Sequence, residues 1–224
     1  MEIRSVFSLA VCALAAGLAA PLHAGAQAWN AFNAVTVQQS WLPEDLALVA
    51  QGPQHGAVVI TEFMKDPNSV VDTRGEWIEV YNALPWRVNI EGWKLTDDAG
   101  NAVTLSNGGQ GLRMMPGEYL VLGNNGDPTL NGDVAVDCVY SGFVLGNGAD
   151  QIMLVKPNGT LIDRVDYDDG VLWPDTAGQS VSLTGSVRDA VQNDDGSLWC
   201  PGSAAWSGTN PDLGSPGLAN PICP

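Results

Sequence analysis

Histidine is almost missing from this chain: His23 and His55 are the only two. Nucleophilic triads, most metallohydrolases and most nucleases need imidazole as base or ligand, so its scarcity removes the commonest hydrolytic chemistries. Positive charge is equally thin. Nine lysines and arginines stand against 25 acids, for a net charge of −16. Nucleic-acid affinity comes largely from cations neutralising phosphates, and the bases here are scattered singly, so the charge disfavours DNA or RNA as a partner. Close cysteine pairs are absent too, which excludes the usual structural zinc spacing. Gly178-Gln179-Ser180-Val181-Ser182 lacks the last glycine of a nucleophile elbow and reads as the start of a strand. Paired carboxylates of the glycosidase kind are not singled out by any local pattern. No enzyme is read from these residues.

Long apolar runs are also lacking beyond the first, Val6 to Ala20, which follows Arg4 and precedes the small residues Ala24-Gly25-Ala26. This pattern is that of an export leader over 1–26, cleaved after Ala26, and it discards Cys12. No later segment spans a bilayer in this reading. Residues 27–56 have no sustained period and read as a linker with a short helix near Glu44 to Ala50. The expected location is secreted, periplasmic or on the outer cell surface. Export permits disulfides, and an odd number of cysteines remains: Cys138, Cys200 and Cys223. Cys200 with Cys223 is the preferred pair, closing a loop of about 20 residues worth about 3 kcal/mol in the chain-entropy picture. Cys138 with Cys200 is the rival.

After Ala57 the chain changes character. Short apolar or alternating runs are cut about every ten residues by Asn-Gly, Asp-Asp, Pro-Asn-Gly or Gly-Gly, the rhythm of antiparallel β structure. Strands are expected over Ala57 to Phe63, Glu76 to Asn82, Trp93 to Asp97, Val103 to Leu105, Tyr119 to Leu122, Val136 to Tyr140, Gln151 to Val155, Leu161 to Tyr167 and Ser180 to Leu183. Pro157-Asn158-Gly159 predicts a tight hairpin between two of them. Many short strands and few helices predict an all-β fold, an immunoglobulin-like antiparallel β-sandwich.

Gly75-Glu76-Trp77-Ile78-Glu79-Val80-Tyr81-Asn82 is the most informative stretch. Alternation sends Glu76, Ile78 and Val80 to one face and Trp77, Glu79 and Tyr81 to the other, so Glu76 and Glu79 cannot act together. If Ile78 and Val80 face the core, Trp77, Glu79 and Tyr81 form an outer strip. Either loops cover that strip and Glu79 caps their amides, or the strip is a recognition surface. Val58-Val59-Ile60-Thr61-Glu62 lies before it. Gly92-Trp93-Lys94-Leu95, Pro116-Gly117-Glu118-Tyr119, Asp163-Arg164-Val165 and Ser215-Pro216-Gly217-Leu218-Ala219-Asn220 follow. In order and spacing these motifs resemble the lamin-tail domain of the exported bacterial type over about residues 57–220, leaving 221–224 as a tail. The resemblance implies a non-catalytic immunoglobulin-like module for adhesion, scaffolding or protein binding, or an accessory to an extracellular nuclease or hydrolase.

Two further ligand classes are expected from residue types. Calcium takes several oxygen ligands from irregular loops, and Asp166, Asp168 and Asp169 are the best candidates among several Asx-rich turns. Polysaccharide rings stack on exposed tryptophans, and Trp173, beside Pro174 in a loop, is the best candidate for exposure. Candidate partners are thus an extracellular or surface protein or a polysaccharide, and the long Gly123 to Asp137 loop is the expected seat of specificity.

Overall fold

The computed structural model describes residues 54–206 and 210–224. The leader over 1–26, the linker as far as residue 53 and its expected short helix lie outside the described residues. The strands are β1 (Val58–Met64), β2 (Trp77–Asn82), β3 (Val88–Asn89), β4 (Lys94–Thr96), β5 (Ala102–Thr104), β6 (Arg113–Met114), β7 (Tyr119–Gly123), β8 (Cys138–Val139), β9 (Asp150–Val155), β10 (Leu161–Tyr167), β11 (Val181–Leu183) and β12 (Trp199–Pro201). A single helical turn, α1 (Asp72–Gly75), precedes β2. One sheet runs β12-β11-β1-β2-β7-β8, a second runs β10-β9-β4-β5, and β3 pairs with β6 in a small ribbon. Every named pairing is antiparallel except that of β7 with β8.

The core lies between the two larger sheets. Ile60, Phe63, Ile78, Val80 and Leu122 from the first meet Leu95, Ile152, Leu154, Ile162 and Val165 from the second in one buried cluster. Each such side chain contributes about 1.5–3 kcal/mol when fully buried. The result is an immunoglobulin-like β-sandwich. The expected β9–β10 hairpin forms, with Ile152 opposite Val165 and Val155 opposite Leu161. Its turn closes through the Gly159 amide donating to the Lys156 carbonyl, and only Gly159, at φ 86°, takes a positive dihedral. The sequence reading missed β3, β6 and β12. Each is two or three residues long, too short to show an alternation.

One irregularity organises the rest. Along β1 and β2 the register passes from Ile60 opposite Val80 directly to Glu62 opposite Glu79, so Thr61 is an extra residue. This β-bulge lets Ile60 and Phe63 both enter the core while Thr61 and Glu62 both face outward. Strict alternation would have driven the Glu62 carboxyl into the apolar core. β11 pairs with β1 only at Glu62 and Phe63, leaving Ile60 without a strand on that side. Its amide instead donates to Asp163 Oδ2 at 2.6 Å, and its carbonyl accepts from Asn193 Nδ2 at 3.2 Å. Asn193 Nδ2 also donates to Asp163 Oδ2 at 2.8 Å, so one buried carboxyl of β10 ties the two sheets together. Burial pushes the Asp163 carboxyl up to about 8, against the pull of these donors.

Replacing Asp163 by Ala strands the Ile60 amide and the Asn193 side chain without their acceptor. Asp163→Ala is expected to destabilise the domain by about 2–4 kcal/mol. Urea unfolding should show a lower midpoint at an unchanged slope.

Candidate functional site

The outer face of the six-stranded sheet carries what the sequence singled out on β2. Glu62 and Glu79 stand directly opposite each other there, both fully buried. Thr61 Oγ1 donates to Glu79 Oε1 at 2.7 Å and the Gly217 amide to Glu79 Oε2 at 2.8 Å. Glu62 accepts from Ser180 Oγ, from the Ser215 amide at 2.9 Å and lies 2.9 Å from Ser215 Oγ. Burial and the neighbouring Glu62 charge push Glu79 well above the carboxylate range, with Arg188 pulling weakly back. Burial likewise raises Glu62, opposed by the Ser180 and Ser215 donors.

The outer strip is therefore covered for most of its length. Trp77 is 1% exposed, packed with Met64, Val121 and Val134 and met edge-on by Trp206 at 6.2 Å. Trp77 and Glu79 thus lie under loops and form no free recognition surface, and Glu79 caps a loop amide. Tyr81 alone of the three stays half-buried. Its ring lies 4.9 Å from that of Tyr119, and the Arg188 guanidinium sits 5.2 Å from the Tyr81 ring and 5.5 Å from the Tyr119 ring. Sequence reasoning missed Tyr119 and Arg188 as companions of Tyr81. Tyr81 opposite Tyr119 is a cross-strand pair that register would have revealed; Arg188 arrives from a loop and gave no signal.

Trp173 is not exposed either. It is 6% accessible, and its ring lies 5.0 Å from Trp199, which in turn packs on Phe63 at 5.7 Å. An outward sugar platform at Trp173 is corrected to a core position. What the same loop presents is Val171 and Leu172, 80% and 72% exposed. Asp168 holds that loop by accepting from the amides of Val171, Leu172 and Trp173. Burial pushes its carboxyl up, but the three amides outweigh this and leave it below the ordinary range. Asp166 instead pairs with Arg164 Nε at 2.9 Å. Asp169 is exposed and packs near Gly148. The three aspartates thus have separate engagements, and no cluster of three or more acids, histidines or cysteines fit to hold a metal occurs among the described residues.

Cys200 and Cys223 form a disulfide with their Cα atoms 5.7 Å apart, and Cys138 is a buried free thiol. The long Gly123 to Asp137 loop is pinned by Asn131, whose side chain donates to the Asn125 and Val134 carbonyls and accepts from the Val134 amide. It borders an open hollow of about 580 Å³ near Ser69, Thr129, Asp133 and Asn210.

Residues 51–169, more than half of the chain, match the family model described as Lamin Tail Domain. The chain belongs to the lamin-tail domain family. No match is found among curated proteins. In this lamin-tail domain the matched stretch supplies β1 to β10, yet β11 and β12 lie beyond it and complete the same six-stranded sheet. The motif residues expected from the resemblance prove to be holders of the fold. Asn82 Nδ2 reaches the Trp86, Met114 and Met115 carbonyls, and Asn220 Nδ2 reaches those of Thr61 and Leu183. Glu76, on the opposite face from Glu79, accepts from the Leu145 amide at 3.1 Å. Burial raises its carboxyl to about 8, the Leu145 donor pulls it down, and Asp72 and Asp150 push it further up. Among the described residues no helix is long and apolar enough to cross a membrane.

These raised carboxyls set a pH dependence with a definite sign. The folded lamin-tail domain keeps protons on Glu76 and Asp163 that the unfolded chain loses near 4. The stability they confer is complete below that range and is lost as pH rises toward about 8. The thermal midpoint should therefore fall between pH 5 and pH 8, and Glu76→Gln should make that fall shallower.

Proposed function

We propose that this chain is an exported, non-enzymatic lamin-tail module that binds an extracellular or surface protein, in an adhesion or scaffolding role. The half-exposed cluster of Tyr81, Tyr119 and Arg188 carries this reading. Tyrosine and arginine are the residue types that dominate binding energy at protein interfaces. Here two rings on adjacent strands are held by cross-strand pairing, and an arginine lies over both, so little ordering is left to the moment of contact. Family membership supports the same direction, since lamin-tail domains are structural immunoglobulin-like domains often found in protein-interaction roles. A disulfide near the C-terminal end and the acidic composition fit a protein that works outside the cell. The loop tip at Val171 and Leu172 offers a second apolar contact.

The test is to immobilise the chain from Gln27 onward, capture extracellular and surface proteins, and measure the affinity of the captured partner for the parent and for Arg188→Gln. Affinity should drop at least tenfold in the variant while its thermal midpoint stays within a few degrees of the parent. An unchanged affinity would remove the cluster from the binding surface.

A further inference from the structure

Residues 213–223 cross the outer face of the six-stranded sheet and are held from beginning to end. Leu213 bridges Gln179 in parallel, with its amide donating to the Gly178 carbonyl and its carbonyl accepting from Ser180. The segment is seated where side chains are missing. A Cβ on Gly202 would lie 2.2 Å from Ser180 Oγ, and one on Gly185 would lie 2.0 Å from the Asn220 carbonyl oxygen. Its middle supplies the Ser215 and Gly217 amides to the paired carboxyls of Glu62 and Glu79 and sets the Ser215 hydroxyl against Glu62. Its end is joined to β12 by the Cys200–Cys223 disulfide, with the Cys223 amide donating to Thr184 Oγ1.

Proton positions under this segment follow from geometry. Asn220 Nδ2 faces the Thr61 and Leu183 carbonyls, which fixes the amide so that Oδ1 faces Ser215 Oγ at 3.2 Å. Ser215 Oγ also lies 2.9 Å from Glu62 Oε2. A serine has one proton for two acceptors. Both contacts are satisfied when Glu62 Oε2 carries a proton, donates it to Ser215 Oγ, and Ser215 donates on to Asn220. The charged and titratable groups around the pair are Glu62 on β1, Glu79 and Tyr81 on β2, Tyr119 on β7 and Arg188 beyond β11; β11 itself presents none, and residues 213–223 present only Cys223, which with Cys200 of β12 becomes a titratable thiol once the disulfide is reduced and is removed in the double-serine chain. One arginine, shared with two aromatic rings, cannot balance two adjacent buried carboxylates.

We propose that residues 213–223 form a strap with two latches in series, the Cys200–Cys223 disulfide and the protonated Glu62–Glu79 pair, and that the strap lifts only when the disulfide is reduced and the pair is ionised. In the first step an external dithiol gives two electrons and two protons to the S–S bond, leaving two thiols and its own disulfide. In the second the pair loses its proton to water, and the two charges draw solvent under Ser215 and Gly217. With the disulfide intact, the far end stays fixed and the strap recloses.

Hydrogen exchange read by mass spectrometry tests this, with rates corrected for intrinsic pH dependence. The oxidised chain should protect residues 213–220 equally at pH 6 and pH 9. The dithiol-reduced chain, and separately the Cys200→Ser/Cys223→Ser chain, should keep that protection at pH 6 and exchange at least tenfold faster at pH 9, while β2 and β7 stay protected. Glu79→Gln in the reduced chain should abolish the pH effect. Three outcomes would overturn the proposal: release on reduction at both pH values, no release at pH 9, or loss of β2 and β7 protection together with the strap.

Discussion

The extra residue at Thr61 is the constraint on which the other features depend. A seven-residue central strand has to bury apolar side chains against the second sheet and also reach a polar outer face, and period-two alternation alone cannot place both Ile60 and Phe63 inside with Glu62 outside. The bulge resolves the conflict by resetting the phase once. Everything nearby then has a reason. Ile60 needs Asp163 and Asn193 because the neighbouring antiparallel strand, β11, ends too early to serve it. Glu62 meets Glu79 because the reset puts them opposite each other, and the C-terminal segment is required to give that pair donors and to keep water away.

Much of the sandwich was legible from patterning. β1, β2, β7, β9 and β10 are long enough for an alternation to show, and Gly159 marked the hairpin between the last two. The short β12 was not, because Trp199-Cys200-Pro201 has no period and becomes a strand only by lying beside β11. The outer face was legible in part. Alternation separated Glu76 from Glu79 correctly, and the family resemblance singled out Gly217 and Asn220 in the motif that begins at Ser215, but nothing local says that residues more than 130 positions away would cover Glu79. Trp173 shows the same gap: a tryptophan beside a proline in a loop reads as exposed, whereas Trp199 draws it inward.

A division of labour emerges across the two faces of the main sheet. The inner face is apolar and supplies cohesion. The outer face has an apolar patch around Trp77, and around Glu62 and Glu79 it is a layer of carboxyls, hydroxyls and asparagine amides whose donors and acceptors are matched across long sequence distances. Such a layer contributes little net free energy per contact, because each hydrogen bond replaces one to water, but it is costly to break in part. It therefore serves to fix one arrangement of the covering segments, and the Tyr81, Tyr119 and Arg188 cluster sits at its rim where that order reaches solvent.

Cys138 shows a different consequence of the same architecture. Its thiol is buried on β8, which alone among the described strands is laid parallel to the strand before it, facing the Ser106 carbonyl at 3.8 Å. Among the described residues three cysteines allow three pairings, and one of them is found. Under oxidising conditions the chain has to hide Cys138 before a bond can form with the wrong partner, and burial, which raises its thiol, also suppresses the reactive thiolate. The seating of β8 against β7 thus guards the cross-link at the other end of the same sheet: with Cys138 withdrawn from reaction, Cys200 and Cys223 have only each other among the described cysteines.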